Sequence, residues 1–298
     1  DPQTGAMLTG WVGTHRLDAV ISTDGDADRP MLADAAGRVI PGDILGALTA
    51  RALGARIVVT PVSANSMIET LPGIDRVIRT RIGSPYVIAA MQEALDANPA
   101  APDGSGGQGP VAGAMPAPGT GGEAGAVVGH GAGAVVGFEP NSVVGFEPNG
   151  GFLLGFTAQG PDGPLGPLMT RDCLLPLIAP LVAARETRGG LAGLVAALPP
   201  RFTAADRLQG IDTEASGAFI AALAADPGAR AGFFEGMGPE GGLDLTDGLR
   251  VSFADGRVVH LRPSGNAPEL RCYAEADSVA QATALVTRHL DRLRTALG

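Results

Sequence analysis

The sequence predicts an α/β protein in which a mixed-sheet α/β region is followed by a smaller α+β domain with antiparallel strands. Strand and helix patterns alternate over residues 55–97, which is typical of a layered α/β sheet. Residues 249–263 have the pattern of a hairpin, and a third strand and an amphipathic helix follow it. The chain has 298 residues, enough for more than one buried core.

The first part of the chain supplies the α/β elements in order. The β-branched run at 55–62 is typical of a strand covered on both faces. One helical pattern ends at Gly54, and the next begins at Ser84, a predicted N-cap. The predicted order is a buried strand at 17–23, two strand pieces about a turn at Ala36-Gly37, a helix at 42–54, strands at 55–62 and 75–83, and a helix at 84–99.

The middle of the chain interrupts this alternation. Residues 99–133 are almost entirely Gly, Ala and Pro, and we expect a mobile loop because such a segment buries little apolar surface. The heptapeptide VVGFEPN occurs at 135–141 and again at 143–149. We interpret this as a small tandem duplication with one copy in register, and favour the second copy because it continues into GGFLLGF.

The remaining predicted elements follow the duplication. Residues 170–186 have a wide apolar helical face despite Pro176 and Pro180. A hairpin turning at Asp255-Gly256 indicates the start of the C-terminal α+β domain. A strand at 268–276 and a helix at 278–297 complete it.

Composition excludes several classes of protein. The net charge of −10 and pI near 4.8 argue against a general nucleic-acid binder. All 21 basic residues are arginine, so a Walker phosphate loop and a Schiff-base lysine are both excluded. Cys173 and Cys272 are too far apart for a zinc motif and are expected to be buried thiols. We find no membrane span or signal peptide, expect a cytoplasmic protein, and interpret the start without methionine as a possible truncation.

The segment STDGDADRP at 22–30 places Asp24, Asp26 and Asp28 at alternate positions after a strand. An EF-hand is excluded because Arg29 and Ala35 occupy the positions that need Gly and an acidic residue. A haloacid-dehalogenase-type phosphatase is disfavoured by Asp28 and by the lack of lysine, and a solvated acidic turn stays a weaker alternative. Alternating carboxylates suit Mg²⁺, which usually completes its shell with water and a phosphate oxygen. Arg29 could reach that phosphate.

Three further segments carry polar groups suited to a phosphorylated ligand. RPSGNAPELR at 262–271 offers two guanidinium groups, a hydroxyl, an amide and backbone N–H groups around a turn, a suitable cradle for a phosphate dianion. Glu147 and Asn149 could grip adjacent hydroxyls of a sugar, and Arg81 precedes a helix N-terminus. Taken alone, the arginine-bearing turn is more often a surface loop, and the other two segments are also explained as a Gly-rich turn and a surface strand end. The cradle residues are Arg262, Ser264, Gly265, Asn266 and Arg271.

Four segments together resemble, in order, the motifs of the α-D-phosphohexomutase family, phosphomannomutase/phosphoglucomutase type. They are DGDADR, TRIGSPYV, GFEPNGG and RPSGNAPELR. The resemblance implies three regions: residues 1–38 as the end of the second family domain, 39–195 as the third, and 200–298 as the C-terminal phosphate-binding domain. It also implies Mg²⁺-dependent transfer of a phosphoryl group between the 1- and 6-positions of a hexose phosphate, through a phosphoserine and a bisphosphate.

The resemblance also assigns roles to residues. It implies that Asp24, Asp26 and Asp28 hold Mg²⁺, that Arg29 and Arg81 lie near the reacting phosphate, and that Glu147 and Asn149 contact sugar hydroxyls. The cradle would hold the phosphate that does not react. Mannose and glucose 1- or 6-phosphate stay open as substrates, and so does the oligomeric state.

The sequence departs from the family pattern at three places. Asn149 and Gly151 stand where many relatives have Ser and His, so the general acid/base is unassigned; none of His15, His130, His260 and His289 matches. Asn266 replaces the usual Thr of the phosphate loop. A Thr-x-Ser-His-Asn-Pro-like nucleophile loop is missing, and Ser63 and Asn65 of TPVSANS are interpreted as structural. We therefore expect the isolated chain to be inactive; the alternative is a non-catalytic sugar-phosphate-binding remnant.

Overall fold

A computed structural model describes residues 2–97, 142–160, 163–265 and 267–297. The predicted α/β class is confirmed, since a mixed sheet lies in the first part of the chain and an antiparallel sheet in the second. The predictions for 99–133 and for the first VVGFEPN copy lie outside the described residues. The helices are α1 Pro2–His15, α2 Gly42–Ala52, a 3₁₀ turn Ser66–Thr70, α3 Ser84–Ala97, α4 Leu174–Arg185, α5 Gly190–Ala196, α6 Thr213–Ala225, α7 Pro227–Phe233 and α8 Val279–Leu297.

The strands of the mixed sheet are β3 Ile57–Pro61, β4 Arg76–Thr80, β5 Val143–Phe146, β6 Phe152–Leu154 and β9 Leu168–Asp172, in the order β4-β3-β5-β6-β9. β3 is parallel to β4 and β5, and the other pairs are antiparallel. Every residue of β3 is buried, because α2, α4 and α5 cover one face of the sheet and α3 covers the other. The second VVGFEPN copy forms β5 and the loop after it.

The N-terminal strands differ from their prediction. β1 Ala19–Thr23 pairs with β2 Pro30–Asp34 in a two-stranded sheet. A second two-stranded sheet, in the middle of the chain, consists of β7 Ala158–Gly160 and β8 Gly163–Leu165. The predicted burial of the first strand is wrong, since Ile21 is 58% exposed. A two-stranded sheet has too few neighbours to cover both faces of an apolar strand.

Two predicted helix starts also need correction. The helix predicted over 170–186 begins at Leu174, because 168–172 form β9 and Asp172 accepts hydrogen bonds from the backbone N–H groups of Leu174 (2.8 Å) and Leu175 (3.1 Å). Ser84 is the first residue of α3 rather than its N-cap, and its hydroxyl is engaged elsewhere.

The antiparallel sheet has the order β10-β14-β13-β12-β11, with β10 Phe202–Gln209, β11 Glu240–Asp244, β12 Leu249–Phe253, β13 Val258–Pro263 and β14 Glu269–Ala276. The hairpin, the third strand and the final helix are found as predicted, whereas β10, β11, α6 and α7 were not predicted. Alternation along the strands places apolar side chains against α6 and α8. The opposite face, called the polar face here, carries Arg250, His260, Arg262, Arg271, Tyr273 and Glu275.

Candidate functional site

The C-terminal cradle is built by strand register. Arg262 of β13 lies directly opposite Arg271 of β14, so their side chains leave the polar face side by side. The backbone N–H of Ser264 donates to the carbonyl of Glu269 (2.8 Å) and closes the loop between the strands. Ser264 is buried and Gly265 is exposed, whereas Asn266 lies outside the described residues. Two adjacent guanidinium groups repel each other unless an anion lies between them.

A third arginine, which the sequence analysis missed, extends this row. Arg207 of β10 lies opposite Arg271, so three arginines cross three neighbouring strands. Glu269 partly compensates their charge, with Oε1 3.4 Å from Arg207 Nε and Oε2 3.5 Å from Arg271 Nη2. The sequence holds no signal for Arg207, since only the pairing of β10 with β14 brings it to the cradle.

Arg262 has its own acidic partner. Its Nε lies 2.7 Å from Asp247 Oδ2, as an ion pair without an aligned hydrogen bond. Both side chains are largely shielded from water. The same Asp247 Oδ2 accepts a hydrogen bond from the backbone N–H of Ile82 (2.9 Å), next to Arg81. Arg81 itself is exposed, and its guanidinium carbon lies 5.7 Å from the centre of the Tyr86 ring.

The loop after β5 buries a carboxylate. Glu147 Oε2 accepts hydrogen bonds from Ser84 Oγ (2.7 Å) and, more weakly, from Asn149 Nδ2 (3.4 Å). Asn149 Oδ1 accepts from the backbone N–H of Gly151 (3.0 Å), and the N–H of Gly150 donates to the carbonyl of Glu147 (2.8 Å). Glu147 is buried and Asn149 is exposed. The loop is therefore fixed by its own side chains, with the amide of Asn149 at its surface.

The acidic loop between β1 and β2 is held by arginines. Asp24 Oδ1 accepts hydrogen bonds from the backbone N–H groups of Asp28 and Arg29, both at 3.4 Å. Arg29 Nε lies 3.5 Å from Asp24 Oδ2 and 3.5 Å from Asp28 Oδ1. Arg171 forms an ion pair with Asp28. Asp26 is exposed. No signal in the sequence would have identified Arg171 as a partner.

The fit of a cation to this loop can be judged from its oxygen atoms. Asp28 Oδ1 is buried and has no hydrogen-bond partner, a deficit that a hard cation would correct. Within the described ranges, no group of three or more His, Cys, Asp or Glu side chains is arranged to hold a metal ion. The carboxylate oxygens of this loop are of the kind that Mg²⁺ binds. In this structure, however, the charge of Asp24 and Asp28 is balanced by the guanidinium groups of Arg29 and Arg171.

The structure connects these segments in a chain of contacts. A methyl group on Gly151 would lie 2.9 Å from Arg171 Cδ and 3.3 Å from the carbonyl oxygen of Asp28, so the acidic loop packs against the Glu147 loop. Ser84 joins the Glu147 loop to α3, and Asp247 joins the segment before α3 to the cradle. Among the contacts of the described residues, none joins the three aspartates directly to the cradle.

A cavity of about 190 Å³ separates the polar face from the first part of the chain; its lining includes Pro41, Asp43, Ser63, Pro148, His260 and Glu275. Burial raises the pKa of Asp43 to about 6, and its oxygens accept from the backbone N–H groups of Ile44 and Asn65, both at 2.9 Å. Glu275 Oε2 accepts from Ser66 Oγ (2.5 Å). Buried polar contacts therefore tie the two parts of the chain together around this cavity.

Two other expectations concern side chains in and near this cavity. Asn65 Oδ1 accepts from the backbone N–H of Met67 and its Nδ2 donates to the carbonyl of Arg201, both at 2.9 Å, so it makes structural contacts. His260 Nε2 lies 2.6 Å from the carbonyl oxygen of Asp247 and must donate to it. Burial lowers the pKa of His260, so the ring is neutral near pH 7.

No helix in the described part of the chain has the length and apolar character of a membrane span.

Comparison with known proteins gives one consistent result. Residues 201–291 match the model of the phosphoglucomutase/phosphomannomutase C-terminal domain. A phosphomannomutase of Sinorhizobium fredii is 38% identical over 291 residues, covering 98% of this chain and 52% of its own length. The chain spans about half the length of the curated relatives that it matches over its full length.

Solved structures agree on the fold. A phosphoglucomutase/phosphomannomutase family protein of Burkholderia thailandensis aligns with a TM-score of 0.61 at 17% identity, over 100% of this chain and 50% of its own. An N-acetylphosphoglucosamine mutase of Aspergillus fumigatus, solved with GlcNAc-6P and magnesium, aligns with a TM-score of 0.50 at 16% identity, over 97% of this chain and 53% of its own.

Proposed function

We propose that this chain belongs to the phosphoglucomutase/phosphomannomutase family and forms the metal-binding and sugar-phosphate-binding part of a hexose phosphate mutase. The relatives are named as mutases, which are isomerases, and the homology supports a phosphohexomutase function. The proposed reaction moves a phosphoryl group between the 1- and 6-positions of mannose or glucose phosphate. A cytoplasmic location is part of the proposal, since Cys173 and Cys272 are free thiols.

The pairing of Arg262 with Arg271 is the observation that carries this proposal. Two arginines placed side by side on neighbouring strands can each donate to the oxygens of a phosphate dianion. Ser264 and the backbone of Gly265 would add donors at the loop, and Asn266 is assigned to the cradle from the sequence alone. Arg207 would contribute further positive charge.

The other segments would bind the reacting end of the ligand. The Glu147 carboxylate would accept a hydrogen bond from one sugar hydroxyl, and the Asn149 amide would donate one to another. The hydrogen bond between the two side chains orients them toward each other. Arg29 and Arg81 would stabilise charge on the phosphoryl group in transfer. Asp24, Asp26 and Asp28 would hold Mg²⁺, as the magnesium complex of the Aspergillus relative suggests. When bound, Mg²⁺ would neutralise charge developing on phosphate oxygens.

The proposed mutase needs a phosphoserine donor from outside these segments, because the 298 residues contain no Thr-x-Ser-His-Asn-Pro-like loop. We therefore propose that the chain alone binds hexose phosphate without turnover. The same observation favours the second candidate, a sugar-phosphate binder without mutase activity. Turnover on adding a polypeptide that carries such a loop would distinguish the first from the second.

Isothermal titration calorimetry tests the binding proposal. Mannose 6-phosphate and glucose 1-phosphate are titrated, with and without Mg²⁺, into the wild-type chain and into R262A and R271A. Each variant is expected to lose at least about tenfold in affinity. R294A is the matched control, since Arg294 is an exposed residue of α8 paired with Asp291. Lack of binding by the wild type, or equal binding by R262A, would overturn the proposal.

A further inference from the structure

Asp247 lies in the turn between β11 and β12, which is pressed against β13. Gly248 has φ of +91°, and a methyl group there would lie 2.4 Å from the carbonyl oxygen of Leu261 and 3.1 Å from Arg262 Cα. Only glycine fits this approach and this backbone conformation. The close contact of the turn with β13 places the Asp247 carboxylate directly beside the Arg262 guanidinium.

Asp247 uses one carboxylate oxygen for two partners from different parts of the chain. Oδ2 lies 2.7 Å from Arg262 Nε and accepts the hydrogen bond of the Ile82 backbone N–H at 2.9 Å. Its backbone carbonyl accepts from His260 Nε2 at 2.6 Å, a second contact between the turn and β13. The side chain is only 12% exposed, so these contacts are weakly screened by water.

The chemistry of the guanidinium group gives this contact a role. An arginine has five N–H donors, and the contact with Asp247 uses its Nε side. The two Nη groups are then left for an oxyanion. A lone arginine side chain loses rotamer entropy on binding an anion, and a side chain that is already held in place loses less.

We propose that Asp247 is a positioning residue that holds Arg262 in its anion-binding orientation and fixes the cradle to the segment Arg81–Ser84. Since Ser84 donates to Glu147, Asp247 completes a continuous path from the cradle to the Glu147 loop. This inference rests on the proposed function, because it assigns Arg262 to a phosphate.

The sign of the effect distinguishes positioning from charge alone. Removing a carboxylate beside a phosphate site makes the site more positive, which by Coulomb attraction would tighten anion binding. Loss of the orientation of Arg262 would weaken it. The two explanations therefore predict opposite changes in phosphate affinity for the same substitution.

Inorganic phosphate is titrated calorimetrically into the wild type, D247A, D247N, R262A and the double variant D247A/R262A. D247A is expected to bind phosphate about tenfold more weakly, and D247N about threefold more weakly because its amide oxygen can still accept from Ile82. In the R262A background, D247A is expected to cause no further loss, since the two residues act as a unit. E240Q is the control for losing an ion pair, because Glu240 of β11 pairs with Arg230 of α7.

Each outcome decides between the hypotheses. Unchanged or tighter phosphate binding by folded D247A or D247N would overturn the positioning role, and so would a fully additive loss in the double variant. Binding that depends on Arg262 but not on Asp247 would overturn this inference alone. Lack of phosphate binding by the wild type would overturn the proposed function as well. Thermal unfolding of each variant shows whether a loss of binding accompanies a loss of folding, and D247N is decisive if D247A is unfolded.

Discussion

Ser84 Oγ donates a 2.7 Å hydrogen bond to Glu147 Oε2, joining the first residue of α3 to the loop that follows β5. Glu147 is buried, and its other hydrogen-bond donor, Asn149 Nδ2, is 3.4 Å away. A buried carboxylate that loses its closest donor is left poorly satisfied, which costs free energy. The hydroxyl of Ser84 therefore holds the candidate sugar-binding carboxylate in place.

The substitution S84A is expected to lower the free energy of unfolding by about 1–3 kcal/mol, because it leaves a buried acceptor poorly satisfied. Chemical denaturation followed by circular dichroism measures this change. S22A is the matched control, since Ser22 is exposed and its hydroxyl donates to the carbonyl of the neighbouring Thr23. A loss in S84A no larger than in S22A would contradict the role assigned to this bond.

Gly42, the first residue of α2, lies against the Glu147 loop. A methyl group there would lie 2.3 Å from the backbone N of Gly150 and 2.5 Å from the carbonyl oxygen of Pro148. Since backbone atoms cannot move aside cheaply, G42A is expected to destabilise the protein by about 1–3 kcal/mol and to weaken hexose phosphate binding. G10A is the control: Gly10 of α1 has open space around it, and alanine should stabilise that helix by up to about 1 kcal/mol. Equal melting temperatures for the two variants would refute the packing argument.

The sequence was sufficient where a local pattern determines structure. β3 and α8 were predicted because a β-branched run and a helical period of apolar residues each require one type of burial. Burial of β1 was wrongly predicted, since an apolar run does not report how many strands lie beside it. Arg171, Arg207 and Asp247 were missed because strand pairing and turn packing bring them to their partners over long sequence separations.

Asp43 should make stability fall as the pH rises. Its folded-state pKa of about 6 lies above its ordinary value of 3.8, because burial disfavours the charged carboxylate. Its contribution is therefore fully present below pH 4 and is lost as the pH rises through 6. Relative to D43N, the wild type should lose up to roughly 3 kcal/mol between pH 4 and 7. Urea denaturation across this pH range measures the change, and D291N, at an exposed aspartate, is the control. The assignment is contradicted if the pH dependence of stability in D43N is the same as in the wild type and in D291N.

His289 should make stability fall as the pH is lowered, which is opposite to the effect of Asp43. Burial lowers its pKa to about 4 from 6.5, and its ring lies against Phe233 and Phe234. The unfolded chain binds the proton more tightly, so stability is present above pH 6.5 and is lost as the pH falls toward 4. H289F should remove up to about 3 kcal/mol of this acid sensitivity. The exposed His15 provides the control H15Q, and an unchanged acid profile in H289F would count against this account.

Magnesium binding can be tested without any enzymatic assay. Asp28 has a buried oxygen without a hydrogen-bond partner and an ion pair with Arg171, so a cation at this loop must compete with the guanidinium. D28N is expected to weaken Mg²⁺ binding by about 10- to 100-fold, as removal of a ligand or its close support typically does. R171Q is expected to strengthen it, because the competing positive charge is gone. Calorimetric titration with MgCl₂ measures both, and D18N, at an exposed aspartate outside the loop, is the control. Equal Mg²⁺ affinity in wild type, D28N and R171Q would show that the acidic loop does not hold the metal, since the two substitutions change its charge in opposite directions.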